Sequence, residues 1–473
     1  MMSSSHSLPD AFLSSLQGLP GYDMTAFERV HAEGAAVTSI RVNPAKGLGR
    51  GLIGVAGGVE AGNMVVPDAV PLERVPWSSM GYYLPERPSF TFDPLFHAGA
   101  YYVQEASSMF LEQALRQTTD LSGPLKVLDL CAAPGGKSTL IQSLLSKESL
   151  LISNEVIRAR VNILQENMVK WGAVNTLITN NDPRDFGKME GYFDVIVVDA
   201  PCSGSGLFRR EPEAIGEWSP ENVELCHQRQ QRILADCWPA LAASGILIYS
   251  TCSYSRQEDE DILDWMMGEL DATGCRLDIT ADWGIVETQG AKGGYGYRFY
   301  PDKLKGEGFF ISCVRKEAGG VYKPLRNKKG LEKLTRKEED RMRGWIGPDI
   351  PLSFFHHQEY ILGLPEQLAE DLAAWQASFY IKKAGVTIGQ LTAKELIPGH
   401  DLALSTCIGP ALPAVALSKE QAIQYLRKEE IAVTDAARGW TLVQYEGLNL
   451  GWIKVLPNRI NNYYPKEWRI LKR

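Results

Sequence analysis

Paired cysteines are missing from this chain. Its eight, Cys131, Cys202, Cys226, Cys237, Cys252, Cys275, Cys313 and Cys407, stand singly with no C-x-x-C pair, which argues against both a disulfide framework and a metal site. No apolar run approaches the roughly 20 residues that a membrane-crossing helix needs. The opening MMSSSHSLPDAF also lacks the basic and then apolar blocks of a secretory signal, so a cytoplasmic protein without membrane contact is expected. An excess of positive charge is missing too: 49 Lys and Arg face 57 Asp and Glu, a net charge of −8, which speaks against non-specific coating of nucleic acid. No G-x-G-x-x-G follows the strands of the α/β stretch, and there is no internal repeat and no low-complexity tract.

What is present is ample for several domains, since 473 residues correspond to about three by length alone. Residues 121 to 316 alternate short apolar runs with amphipathic segments, the pattern of a parallel α/β sheet. The spacing predicts strands at LKVLDL (125–130), SLLISNE (149–155), NTLIT (175–179), FDVIVVD (193–199) and GILIYST (245–251). Helices are predicted at KSTLIQSLLSK, at VIRARVNILQENMVKWG and from Pro220 toward Ala243, giving a doubly wound domain. Ser255 and Glu258 have the spacing of a capping box and predict that EDEDILDWMMGEL is a helix opened by that box. Gly306 and Gly308 before FFISCVRK suggest a hairpin that completes the sheet.

Residues 1–110 read as a separate α+β unit, with a helical AFLSSLQ and a strand-like VTSIRVNP. Residues 111–316 form the α/β domain, 317–400 a basic linker and a partly helical intermediate domain, and 401–473 a small β-rich, barrel-like module. Lys and Arg crowd 315–343, and the tail from Lys454 interleaves cations with Tyr463, Tyr464 and Trp468. Cations for phosphates beside aromatics for bases are what single-stranded RNA binding uses. A solvated charged helix and an ordinary strand-rich tail explain the same residues.

Ligands of an open α/β sheet sit outside the carboxyl ends of its strands. After the first strand comes Cys131-Ala132-Ala133-Pro134-Gly135-Gly136-Lys137, a glycine-rich loop opening a helix. A triphosphate-binding loop is disfavoured, because Cys131 stands where that motif needs glycine and Pro134 lacks an N–H. Glu155 follows the second strand, placed for ribose hydroxyls, and Asp182 follows the third, able to accept from an adenine amino group. Without a pyrophosphate fingerprint, this set points to S-adenosylmethionine rather than a dinucleotide.

After the fourth and fifth strands stand Asp199-Ala-Pro-Cys202 and Thr251-Cys252. A lone cysteine beside a strand is usually a small buried hydrophobe, and Cys226, Cys237, Cys275, Cys313 and Cys407 are read so. Two at adjacent strand ends suggest chemistry. A cytosine C5 attacks a methyl sulfonium only after a thiolate adds to C6, with an acid stabilising charge at N3 and N4. Asp199 suits that acid, Lys137 can position the ring, and the second cysteine can assist release. Spacing alone favours Cys202 as nucleophile.

Together, DLCAAPGGKST, DAPCSGSG and STCSYS resemble the Nol/Nop/Sun family of RNA cytosine-5 methyltransferases, and FHAGAYYVQEASSM, RFYPDKLKGEGFF and LGWIKVLPNRINNYYPKEWR extend the likeness over nearly the whole chain. The likeness is greatest to the RsmF-type bacterial 16S rRNA methyltransferases. It implies a Rossmann-like S-adenosylmethionine-dependent domain, an N-terminal RNA-binding extension and a C-terminal PUA-like module. It implies Cys252 as nucleophile, Cys202 as the release residue, and Cys131 to Lys137, Glu155, Asp182 and Asp199 around the cofactor. It further implies 16S rRNA or the 30S subunit as partner, no metal, and a monomer. An RNA-binding assembly factor, a methyltransferase acting on tRNA or another RNA, and a DNA methyltransferase are the rival readings.

Overall fold

A computed structural model describes residues 7–34, 36–46, 72–323, 331–348, 350–376, 378–434 and 436–472. The chain opens with α1 (Asp10–Ser15) and α2 (Met24–Glu33). The Asp23 carboxylate caps α2 by accepting from the Ala26 amide at 3.0 Å. Phe12, Leu16 and Phe27 on these helices build no core of their own; they bury against Phe208, Tyr254 and Tyr300 of the next domain. β1 (Thr38–Val42) lies between β2 (Gly81–Leu84) and β3 (Tyr101–Val103), antiparallel to both.

The extension has the expected α+β character and packs closely on the α/β domain. Arg41 on β1 is fully buried; it donates to Gln104 Oε1 at 2.8 Å and to Thr139 Oγ1 at 2.5 Å, and lies 4.5 Å over the Trp171 ring. A buried guanidinium must spend its donors on partners, and here Thr139 and the Trp171 ring belong to the α/β domain.

That domain runs through α3 (Leu111–Thr118), β4 (Lys126–Asp129), α4 (Gly136–Leu144), β5 (Leu150–Asn154), α5 (Arg158–Trp171) and β6 (Thr176–Thr179). It continues with α6 (Pro183–Phe186), β7 (Phe193–Asp199), α7 (Pro220–Cys237), β8 (Leu241–Thr251) and α8 (Glu260–Glu269). The strands pair in parallel in the order β8-β7-β4-β5-β6. Leu115, Leu140 and Leu164 cover one face of the sheet, and Ile233, Leu234 and Ile262 the other. Burial on both faces is why these strands read as unbroken apolar runs. The strand order reverses between β4 and β7, so a crevice opens at their carboxyl ends.

Then follow β9 (Ala272–Cys275), β10 (Val286–Gln289), β11 (Tyr295–Phe299) and β12 (Phe309–Lys316). The expected hairpin forms: β11 and β12 pair antiparallel, and β12 pairs antiparallel with β8.

The intermediate segment contains α9 (Arg336–Arg343), β13 (Leu352–His357), β14 (Tyr360–Pro365), α10 (Ala369–Gln376), β15 (Ile381–Ala384), β16 (Val386–Leu391) and β17 (Leu396–Pro398). It holds more strand than helix. β13-β14-β16-β17 make a sheet, whereas β15 crosses over to pair antiparallel with β6 and so extends the sheet of the α/β domain. Part of the basic stretch, 324–330, lies outside the described residues. Helix α9 is solvated apart from Met342 and is opened by a Thr335–Glu338 capping box.

The last part holds α11 (His400–Leu404), β18 (Ala414–Ala416), α12 (Lys419–Leu426), β19 (Gly439–Tyr445), β20 (Leu448–Leu456) and β21 (Arg459–Asn462). Its strands form an open four-stranded sheet rather than a barrel of their own. Leu402, Leu442 and Trp452 share a core with Phe354, Ile361 and Val386 of the preceding sheet. The tail aromatics divide: Tyr463 is exposed, Trp468 is half-buried, and Tyr464 is core, edge-on to Tyr425 and His400. Tyr464 is therefore not free to stack on a base. Among the described residues no helix is long and apolar enough to cross a membrane.

Candidate active site

The loop after β4 is tied down by its neighbours. The Ala132 amide donates to Asn154 O at 2.8 Å, Arg160 donates to Ala133 O at 2.6 Å, and Asn167 donates to Pro134 O at 2.8 Å. Gly135 is the N-cap of α4 at φ +114°, a backbone that side chains disfavour. Asp129, which the sequence reading passed over, is fully buried. Its Oδ2 accepts from Ser138 Oγ at 2.6 Å, Oδ1 has no hydrogen-bond partner among the described residues, and burial pushes the carboxyl up to about 7.

Glu155 is buried at the end of β5; its Oε1 accepts from the Ile157 amide at 2.8 Å, and its Oε2 faces Arg160 at 3.4 Å. Asp182 is half-buried and caps α6, accepting from the Arg184 amide at 3.1 Å. The segment before β15 reaches this edge as well, since Asn181 both accepts from and donates to the Tyr380 backbone, at 3.0 and 3.1 Å. The donor set fits S-adenosylmethionine: carboxylates for hydroxyl and amino groups beside a close-approach glycine loop, with the buried Asp129 next to it.

Across the reversal point the chemistry converges. Lys137 Nζ lies 2.7 Å from Asp199 Oδ2, and Asp199 Oδ1 accepts from Ser250 Oγ at 2.8 Å. Burial works against the Lys137 charge, but Asp199 outweighs it and holds the ammonium above its ordinary range. The same Nζ stands 5.2 Å from the Phe309 ring centre. Cys202 and Cys252 are free, half-buried thiols with Sγ atoms 3.0 Å apart. Contact with Cys252 and then burial push the Cys202 thiol well up. Of the cysteines read as structural, Cys226, Cys237, Cys313 and Cys407 are buried, while Cys275 is only half-buried on β9.

The loops carrying the two thiols are stitched together. The Gly206 amide donates to Cys252 O at 2.8 Å, the Gly308 amide to Gly206 O at 3.1 Å, and the Tyr254 amide to Ser205 Oγ at 3.0 Å. A Cβ on Gly206 would run into the carbonyls of Gly308 and Cys252, so the three backbones meet only because a glycine is there.

The predicted capping box does not form. α8 begins at Glu260, and its N-cap Asp259 makes no side-chain cap. Glu258 instead turns inward, fully buried, and accepts from the Ser203 amide at 2.7 Å, Ser203 Oγ at 2.5 Å and Ser253 Oγ at 2.6 Å. Arg298 on β11 completes the clamp: it donates to Glu260 Oε1 at 2.7 Å and Tyr254 O at 3.0 Å and pairs with Asp259 at 3.2 Å. Glu105 similarly accepts from the Ser107, Ser108 and Glu307 amides, each at 2.9 Å. Only the acidic run 258–260, polar where a loop packs against a sheet, hinted at the first two in the sequence.

Every predicted site residue thus lies along the carboxyl edge of the catalytic sheet. Residues 118–315 match the family 16S rRNA methyltransferase RsmB/F, 8–106 the N-terminal domain of 16S rRNA methyltransferase RsmF, and 412–470 the methyltransferase RsmF PUA domain. Ribosomal RNA small subunit methyltransferase F of Shewanella woodyi is 30% identical over 413 residues, 84% of this chain and 84% of that one. Its namesake from Salmonella paratyphi A is 29% identical over 479 residues, 97% of this chain and 96% of that one. A solved structure, a methyltransferase homolog protein from Pyrococcus horikoshii, is 28% identical at a TM-score of 0.50, covering 65% of this chain and 100% of that one. With three matched segments in family order and relatives aligned over most of their length, the chain belongs to the ribosomal RNA small subunit methyltransferase F family of S-adenosylmethionine-dependent methyltransferases.

Proposed function

We propose that this protein methylates C5 of a cytidine in 16S rRNA, with Cys252 as nucleophile and Cys202 assisting release. The observation that carries the reading is the meeting of two thiols 3.0 Å apart with a Lys137–Asp199 pair at 2.7 Å on one crevice. Contact with Cys252 and then burial hold the Cys202 thiol up, and the likeness to the RNA cytosine-5 methyltransferases gives the nucleophile's part to Cys252.

Cys252 Sγ adds to C6 and electron density moves toward N3. The Lys137–Asp199 pair, joined at 2.7 Å with Ser250 on the other carboxylate oxygen, supplies a proton against the charge developing at N3 and N4. S-adenosylmethionine, held by residues 131–137, Glu155, Asp182 and Asp199, supplies the methyl electrophile when bound. To finish, the C5 proton passes to water, the C5–C6 double bond re-forms, and the C6–S bond breaks to free the Cys252 thiolate.

In the same reading, residues 1–110, 111–316, 317–400 and 401–473 serve as RNA-binding extension, catalytic domain, intermediate domain and PUA-like module. The protein acts as a cytoplasmic monomer without a metal, on 16S rRNA free or in the 30S subunit.

The test uses Cys202→Ala with S-adenosylmethionine, total RNA and small ribosomal subunits, followed by denaturation and sequencing of covalently attached RNA. An adduct that vanishes when Cys252 is also replaced is the expected result. No adduct, while the parent enzyme methylates, overturns the division between the two thiols; no RNA methylation by the parent overturns the function.

A further inference from the structure

The loops bearing Cys202 and Cys252 come from different strands, and their sulfurs meet at 3.0 Å because something holds the loops in register. Glu258 is fully buried, and the donors it accepts from flank the two thiols. Ser203, the residue after Cys202, donates its amide at 2.7 Å and its hydroxyl at 2.5 Å. Ser253, the residue after Cys252, donates its hydroxyl at 2.6 Å. Gln230 on α7 donates to the same carboxylate at 3.3 Å and to the carbonyl of Pro201, the residue before Cys202, at 3.1 Å. The Glu258 backbone is itself pinned, its carbonyl accepting from Tyr249 OH at 2.6 Å.

We propose that Glu258 is a positioning residue that seats the Cys202 thiol against the departing Cys252 sulfur and thereby sets the rate of product release. The inference rests on the proposed thiol chemistry. As C6–S breaks, its electron pair stays on Cys252 Sγ, the C5 proton goes to water, and the Cys202 S–H donates a hydrogen bond to the new thiolate. That contact is worth most when the sulfurs are already in place, since a misplacement of about 1 Å costs on the order of 10²-fold in rate. The Cys252 contact and burial favour the protonated form of Cys202, and the nearby Glu258 carboxylate adds to them. Addition of Cys252 to C6 asks nothing of this contact, so the two halves of the reaction respond differently to its loss.

Glu258→Gln keeps the size, but its amide nitrogen cannot accept from Ser203 or Ser253. With tritiated S-adenosylmethionine and unmethylated 16S rRNA, free and in subunits, the full-length variant transfers one methyl per enzyme within about threefold of the parent rate. Steady-state turnover falls on the order of 10- to 100-fold, and a denaturation-resistant protein–RNA adduct accumulates as it does with Cys202→Ala. The double variant is no slower than Cys202→Ala alone, because both changes remove one contact. A parallel fall of single- and multiple-turnover rates without adduct, or effects that multiply in the double variant, overturns the role of Glu258. If Glu258→Gln does not fold, Ser203→Ala, which keeps the amide contact, reads the same split at smaller size and is judged by the same outcomes. A Cys202→Ala enzyme that traps no adduct refutes the underlying thiol chemistry instead, so the two failures are distinct.

Discussion

Arg298 offers the most quantitative test of how the catalytic loops are built. It is 1% exposed and faces Asp259 and Glu260, themselves buried. Burial works against its charge, but the two carboxylates hold the guanidinium well above its usual range. Arg298→Met preserves the stem and leaves two buried carboxylates without a cation. Breaking a buried pair in this way costs about 3–5 kcal/mol, because an uncompensated charge remains. A domain of this size loses about 2–4 °C of melting temperature per kcal/mol, so the transition of the catalytic domain should fall by roughly 6–20 °C.

The pH dependence carries the sign. Carboxylates stranded in an apolar setting take up protons more readily than in the unfolded chain, so acidification relieves the strain. The gap between parent and variant should therefore narrow from pH 7.5 toward pH 5 in roughly that window, which spans the raised range of a buried acid. The assay is thermal or urea unfolding followed by circular dichroism at several pH values. A variant within about 1 kcal/mol of the parent at neutral pH, or a gap that widens on acidification, refutes the clamp as described.

Three further outcomes are expected. Asp199→Asn should lower kcat by about 10²–10³-fold while shifting cofactor affinity far less; equal losses by calorimetry and turnover would make Asp199 a cofactor ligand alone. Replacing Lys466, Arg469, Lys472 and Arg473 together by Ala should flatten the dependence of log K on log salt by about 3, at roughly 0.7 per phosphate contact on single strands. An unchanged slope means the tail touches no phosphate. The His400 ring nitrogens have no hydrogen-bond partner among the described residues, and burial, then Lys170, Lys46 and Lys428, pushes the group from 6.5 down to about 3. Stability should therefore drain away as pH falls from 6.5 toward about 3, and less so in His400→Phe; identical acid unfolding of the two proteins would clear His400.

Much of the catalytic domain is legible in the sequence. β4 to β8 are buried on both faces and so read as apolar runs with chemistry at their ends, and Gly135 marks a turn only glycine takes readily. β15 was not legible, since nothing in IKKA says that it leaves its own sheet to pair with β6. The capping-box reading of Ser255 and Glu258 failed for a related reason. A carboxylate three residues after a serine can bond locally, but here it gains more from Ser203 and Ser253 in a dry interior. Tyr464 and Trp468 stand four residues apart in a basic tail, yet one is core and the other half-buried.

Sequence alone thus determined the inventory and its order: a doubly wound sheet, a glycine loop, acids at successive strand ends, and thiols at two more. These follow from local periodicity and from residue types whose chemistry is intrinsic. Tertiary structure decided which groups touch. It placed Cys202 against Cys252, Lys137 on Asp199, Arg298 between Asp259 and Glu260, and Arg41 of the extension inside the catalytic domain. Those choices depend on desolvation. A buried charge or donor is tolerable only beside its partner, and that partner lies tens of residues away, beyond the reach of any local pattern.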